Sequence, residues 1–394
     1  MNKKLFAIII FACCLFTVHR NLLSAADFGL TLDQNAELSG PGTNFNYNGI
    51  LVPHISGLLG SGGGLYISAA LNWENNPWGL VPELLRTDFS WRSEKLEFKM
   101  GRMSYFDPLN FIAGGLFDGF RFSFDGTAGT FSFGAWYTGL LYKKRANIGM
   151  TSAELMNSIS TVDYGNFMKS YFAPRRILSA FDWEHQGLGE RVMAKFSILG
   201  QFDLSGESLH SQYFAGKLSV PAAFMVFDLG GCFELLEAGA DNTTSVFTAF
   251  AADLGIAWRS PSHRLSLLGR YSSGGNENKM PFLPLTTISQ GYVLQPKLSA
   301  ISLVSLDYVG RLHRVFSLGL SSYYFIRNFW ESNSAYSSKD SFLGCEFSGG
   351  LYWSPISDIS LNFRGGVFLP SLGNAAPNGK NLWRIDLDLV LLLF

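Results

Sequence analysis

The stretch Phe120-Arg121-Phe122-Ser123-Phe124-Asp125 places Phe at every second position and a polar or charged residue between. Successive side chains of a β-strand point to opposite faces, so such a segment has one apolar and one polar wall. Leu96-Glu97-Phe98-Lys99-Met100 and Ile359-Ser360-Leu361-Asn362-Phe363-Arg364 repeat the theme. In Phe131-Ser132-Phe133-Gly134-Ala135-Trp136-Tyr137 the second wall carries small residues and aromatics. Read outward from these segments, the period predicts about 18 strands: 27–35, 45–58, 63–74, 83–92, 94–104, 117–125, 129–142, 175–185, 190–203, 209–219, 222–236, 244–259, 262–273, 298–311, 313–327, 341–353, 357–369 and 381–394. No segment shows a helical repeat of comparable length, although 151–159 suits a short helix in a loop.

The connections carry as much information as the strands. Short turns such as Arg92-Ser93-Glu94-Lys95, Asp125-Gly126-Thr127-Ala128, Ser260-Pro261-Ser262-His263 and Ser354-Pro355-Ile356-Ser357 alternate with long segments. The long ones are 75–82, 105–116, 143–174, 274–297, 328–340 and 370–380. Short turns at one end and long loops at the other describe a membrane-spanning antiparallel barrel. The connection near Ser205-Gly206-Glu207 is the exception, short where a long one is expected. An even strand count puts both chain ends on the short-turn side, and a last strand closing onto the first leaves no edge. Trp73, Trp91, Tyr105, Tyr142, Trp183, Trp258, Tyr271, Tyr323, Trp353 and Trp383 lie near predicted strand ends, where interfacial girdles form. A secreted β-sandwich or propeller would also alternate, but it leaves the short and long rhythm unexplained.

Composition agrees. Only 15% of the 394 residues are charged, against about 25% in ordinary globular chains. Phe numbers 35 and Gly 42, while apolar residues stand at 47%. Disorder needs low hydrophobicity and high net charge, and is excluded. Nucleic acid is not expected as a partner, because 30 basic and 31 acidic residues nearly cancel and the longest basic block is Lys143-Lys144-Arg145. Residues 1–26 read as a signal peptide: Asn2-Lys3-Lys4, an apolar stretch from Leu5 to Val18, then Ser24-Ala25-Ala26 before a cut at Asp27. A lipoprotein cut before Cys13 is the alternative. With the cut at Asp27, Cys232 and Cys345 would be the cysteines left, and they read as buried thiols.

With its signal, amphipathic strands, aromatic belts and terminal Phe394, the chain resembles the porin-type outer-membrane β-barrels of diderm bacteria. Gly101-Arg102, Asp107-Pro108 and Gly114-Gly115-Leu116-Phe117-Asp118-Gly119 are similar to segments of spirochaetal, treponeme-like barrel proteins. The resemblance implies one all-β barrel domain over 27–394, with about 16–18 strands, in the bacterial outer membrane. It also implies outer-membrane lipid and the barrel-assembly machinery as partners, small solutes as cargo, and no cofactor. One departure concerns the last strand. Family members keep hydrophobic residues at alternate positions back from the terminal aromatic. Here Arg384, Asp386 and Asp388 share that parity, so the lipid face is expected to be Ile385-Leu387-Leu389-Leu391-Leu393.

Barrel diameter grows with strand number, and 16–18 strands leave an aqueous channel unless something fills it. At about 19 residues per strand and connection, residues 27–394 hold 18 strands and no separate plug. That argues against a fatty-acid transporter with an N-terminal hatch and against a siderophore receptor. By alternation the pore-lining candidates are Lys95, Glu97, Lys99, Arg121, Asp125, Lys195, Arg264, Arg270, Arg364, Arg384, Asp386 and Asp388. Their signs are mixed, which predicts no strong ion preference; they either solvate the wall or form an arginine–acid ladder at a constriction. The constriction candidates are Tyr105, Phe106 and Asp107 in loop 105–116, and Lys143, Lys144 and Arg145 at the root of loop 143–174. Those basic residues would equally suit acidic lipid headgroups. In loop 274–297, Met280-Pro281-Phe282-Leu283-Pro284-Leu285 reads as a lid, a partner surface or a segment packed on other loops.

Enzyme signals are poor. His54 and Ser56 share a strand face, as in outer-membrane phospholipases, but Gly57 stands where that family has Asn-Gly. Gly60-Ser61-Gly62-Gly63-Gly64 lacks the Lys-Ser/Thr of a phosphate loop and reads as a hairpin turn. The expected function is passive diffusion of small solutes. The alternatives are an adhesin or antigen displaying loops 143–174, 274–297 and 328–340, and a hydrophobic-substrate transporter. The last would need a greasy lumen and a lateral opening.

Overall fold

A computed structural model describes residues 26–75, 78–189, 191–205, 209–240, 243–275, 280–328 and 340–393. The signal segment up to residue 25, Cys13, most of loop 328–340 and Phe394 lie outside the described residues. The strands are β1 (Ala26–Gly40), β2 (Asn44–Leu59), β3 (Gly63–Asn75), β4 (Trp78–Arg92), β5 (Leu96–Phe106) and β6 (Gly114–Gly126). They continue as β7 (Gly129–Tyr137), β8 (Arg176–Leu188), β9 (Val192–Asp203), β10 (Leu209–Ala222), β11 (Met225–Ala240) and β12 (Thr243–Arg259). The last six are β13 (His263–Ser272), β14 (Ile301–His313), β15 (Phe316–Arg327), β16 (Phe342–Ile356), β17 (Ile359–Leu369) and β18 (Leu382–Leu393). Each pairs antiparallel with its sequence neighbours, and β18 closes onto β1 through Leu30–Leu393 to Gly40–Trp383. The result is an 18-stranded closed barrel, all-β, as the alternation predicts.

Register aligns the apolar faces across strands. Phe98 faces Phe122 and Phe122 faces Phe133, while Phe124 lies between Leu96 and Phe131. Phe122, Phe124 and Phe133 point outward and stay exposed, whereas Ser123 and Ser132 point inward, buried and hydrogen-bonded to each other at 2.8 Å. On β18, Ile385 and Leu387 face outward and Asp386 is fully buried inside, so the leucine face is the outer one. An outer wall of Phe, Leu, Val and Trp fits lipid, where a Lys or Arg at mid-membrane costs about 2–4 kcal/mol. No helix of the described residues is long and apolar enough to cross a membrane.

Connections at the end holding Ala26 and Leu393 are all two or three residues long. The opposite end carries the long loops 107–113, 138–175, 273–300, 328–341 and 370–381. Three expectations there need correction. Residues 36–40 and 237–240 are strand, and of 75–82 the described residues, 75 and 78–82, belong to β3 and β4 and not to a long loop. Pro77 and Pro82 broke the sequence pattern, because proline cannot donate to a strand ladder. Loop 138–175 holds helices α1 (Lys143–Ala146), α2 (Ser152–Ile159) and α3 (Phe167–Ser170). Helix α2 begins in a capping box, with Thr151 accepting from Glu154 N–H and Glu154 from Thr151 N–H.

Candidate functional site

Loops 107–113, 138–175 and 273–300 turn into the barrel. Leu109, Phe111, Ile112, Ile148, Phe282 and Leu285 are all but fully buried, packed with wall residues such as Tyr105, Phe117, Leu178 and Tyr213. The loop-end half of the interior is therefore an apolar core, and Met280–Leu285 belongs to it instead of forming an exposed surface.

Loop 107–113 forms the crossbar. Gly101, with φ +115°, bends β5; a Cβ there would meet the Thr87 carbonyl at 1.8 Å, so only glycine fits. Beyond the bend, Met103, Tyr105 and Phe117 turn inward. The Tyr105 hydroxyl bonds Asp182 at 3.2 Å and lies 3.4 Å from Ser197. Leu109 reaches across to β11, where its Cδ2 lies 2.4 Å from where a Cβ on Gly230 would stand. Asp107 is not a charge facing solutes. It is buried, and its carboxylate accepts N–H groups of Leu109, Ile112 and Ala113 at 2.8, 2.9 and 3.0 Å. Burial pushes its carboxyl up from the usual range, and those N–H bonds pull it back.

Carboxylates of the inner wall hold loop 273–300. Glu234 on β11 accepts Leu283 N–H at 2.9 Å. Glu346 on β16 accepts from Tyr292 and Leu294 N–H at 2.5 and 2.8 Å. Buried Arg176 on β8 binds Glu154 of α2 at 2.6 Å and lies 3.5 Å from Asp203. Lys297 bridges two loops by donating to the Gly149 carbonyl, and burial lowers its ammonium to about 8. Sequence reading missed Glu234, Glu346 and Glu154. Glu346 does sit two residues before Ser348 on an alternating strand, but nothing local says that a loop returns to it.

Outside the apolar cluster the interior is polar, from Glu97 near the short-turn rim to Arg384 and Glu37 near the loop ends of β18 and β1. Arg121 lies 3.6 Å from Asp182 and Lys195 3.2 Å from Glu184, lining a cavity with Phe106, Pro108 and Asn110. Arg264 and Arg270 line another with Lys217, Asp228, Asp253 and Asp307. Arg270 also donates to Gln290 at 2.6 Å and sits over the Phe111 ring. A ladder runs over β1, β18 and β17: Arg384 bonds Glu37 and Asp386, each at 3.0 Å, and Arg364 bonds Asp386 at 3.3 Å and Asp388 at 3.0 Å. Both guanidiniums lie over the Tyr292 ring, at 5.3 and 5.2 Å. Glu97 and Lys99 pair at 3.2 Å near the short-turn rim.

Five candidates fall elsewhere. Lys95 sits in the exposed turn before β5, and Asp125 at the strand end accepts from Thr130. Lys144 binds Glu74 at 2.7 Å and Arg145 lies 3.4 Å from Glu83, so both tie α1 to the β3–β4 wall and not to headgroups. Lys143 is buried against Ser160 at 2.7 Å. Cys232 and Cys345 are free thiols on separate strands. His54 stacks on Tyr66, with no hydrogen bond to Ser56 among the described residues.

No protein-family model and no curated protein matches the sequence. Solved structures do resemble the fold. Pseudomonas aeruginosa OpdO aligns with a TM-score of 0.64 at 10% identity, over 95% of this chain and 99% of that one. P. aeruginosa OccK2 (OpdF) in complex with glucuronate aligns at 0.63 and 12% identity, again over 95% and 99%. P. aeruginosa OccD3 (OpdP) aligns at 0.62 and 10% identity, over 95% and 92%. The chain thus shares the barrel fold of these proteins over nearly its whole described length.

Proposed function

We propose that this chain is a channel of the bacterial outer membrane through which small hydrophilic solutes diffuse passively. The observation that carries this reading is the polar interior beneath the inward loops, lined by the Arg121–Asp182, Lys195–Glu184 and Arg364–Asp386–Arg384 groups. Eighteen strands make a barrel wide enough for an aqueous path, and loops crossing it narrow that path without a separate plug. The lining is of mixed sign, which suits solutes bearing both hydroxyl and charged groups. One structure of like fold holds glucuronate, and that sugar acid is the first solute to try.

Residues 1–26 would serve as the export signal, with outer-membrane lipid and the barrel-assembly machinery as partners. The similarity of Gly101–Gly119 to spirochaetal barrels rests on about 20 residues; in this fold that stretch forms the upper part of the β5–β6 hairpin and its loop. Purified folded protein in planar bilayers should give discrete conductance steps, and liposomes containing it should swell in glucuronate. A folded protein giving neither would overturn the reading.

A further inference from the structure

The ladder between β4 and β5 joins only Thr87–Arg102 to Arg92–Glu97, six pairs. It is the shortest in the barrel among the described residues, and a tilted membrane crossing takes about 9–11 residues. Above Thr87, β4 continues from Arg86 to Trp78 with β3 as its neighbour and no β5 partner. The outward side chains of this open edge suit membrane depth. Trp73 faces Leu80 across the β3–β4 pair, and the outward residues below that level, Leu80, Pro82 and Leu84, are apolar and exposed.

An unpaired backbone group facing lipid costs several kcal/mol, so the edge must be satisfied by other means. Pro82, at its centre, has no N–H to satisfy. Three alternate carbonyls are capped by side chains: Leu80 by the Tyr164 hydroxyl, Pro82 by the Tyr171 hydroxyl at 3.0 Å, and Leu84 by the Arg102 guanidinium. Arg102 is held in place by a bidentate pair with Asp118, both bonds 2.8 Å. Residues 164–171 of the long loop thus stand where a strand would. They form an aromatic stack of Tyr142, Tyr171 and Phe167 against Val81. A backbone ladder must be unzipped bond by bond, whereas this strap can leave as one body. Its flanks, Met156, Ile159 and Met168, are more than 60% exposed and apolar. Behind the stack lies the buried Lys143 ammonium, bonded to Ser160 and Thr161 and with no carboxylate in ion-pair range among the described residues.

We propose that the β4–β5 seam is a lateral gate through which single-chain anionic amphiphiles pass between the barrel interior and the adjoining lipid leaflet. The apolar chain slides between the β4 edge and the tyrosine strap, and the anionic head meets Lys143. This inference rests on the channel reading only for membrane insertion. The test uses the full chain in liposomes, as C232S/C345S with L80C and Y164C joined by a thiol-cleavable bis-maleimide across the seam. Fluorescent lysophosphatidylglycerol is placed in both leaflets, and albumin extracts it from outside. Inner-leaflet probe should emerge faster than from protein-free liposomes, fall to that rate when the linker is closed, and recover on cleavage. Because the same molecules are compared before and after cleavage, misfolding cannot mimic the result. Glucuronate swelling, run in parallel, should not change with the linker. Extraction at the protein-free rate without the linker, or unaltered by it, overturns the gate; loss of swelling alone overturns the channel reading instead.

Discussion

The Glu234 carboxylate of β11 accepts the backbone N–H of Leu283 at 2.9 Å, and so fastens the middle of loop 273–300 to the inside of the wall. Its other oxygen accepts from Ser211 at 3.0 Å. Glu234→Ala removes both bonds and should let loop 273–300 swing, raising mean single-channel conductance and open-state noise. Glu234→Gln keeps one acceptor oxygen and should fall between the two. Unchanged conductance in Glu234→Ala would show that this loop does not narrow the path.

Asp107 organises the crossbar by accepting three backbone N–H groups. A buried group left without a partner costs about 1–3 kcal/mol. Asp107→Ala should therefore loosen residues 107–113 while leaving the barrel closed. Amide exchange at Leu109, Ile112 and Ala113 should speed up by orders of magnitude, with the strand amides of β5 and β6 unaffected.

Asp386 stands between Arg364 and Arg384 and offsets both. A unit charge at about 4 Å and an effective dielectric near 20 is worth about 4 kcal/mol, enough to reverse the local potential. Asp386→Asn should shift the reversal potential in a KCl gradient toward chloride. Arg384→Gln, which leaves Glu37 and Asp386 less compensated, should shift it the other way.

Burial lowers the Lys297 ammonium from 10.5 to about 8. Between those two values the unfolded chain binds one proton more than the folded one, so stability rises with pH across that window and is flat below it. Lys297→Met should abolish this part of the pH dependence, measured as the unfolding midpoint in denaturant at pH 7.5 and pH 9.5. Competitive acylation should find one lysine titrating near pH 8.

Much of the architecture is local information. Phe120, Phe122 and Phe124 alternate with Arg121 and Ser123 because one strand face meets lipid and the other does not, and that requirement is written into neighbouring residues. The strand number, the direction of Asp386 and the side of the short turns follow from it. The same alternation placed Arg364 and Arg384 inside, but could not say that Glu37, nearly 350 positions away, would meet Arg384 when β1 closes on β18. Asp107 was legible as a residue of the loop that crosses the barrel, but its partners are backbone N–H groups that no side-chain pattern reveals.

By itself the sequence determined a closed barrel of amphipathic strands, because period two and short turns are set by adjacent residues and by the bilayer. Only the tertiary structure decided what fills it. Loop 138–175 lies against β3, β4 and β8, and loop 273–300 against β11 and β16, through single hydrogen bonds between distant residues such as Tyr171 and Pro82 or Tyr292 and Glu346. Such contacts have no period. They depend on where closure of the whole barrel brings the wall, which is why the interior core and the β4–β5 seam became visible only in three dimensions.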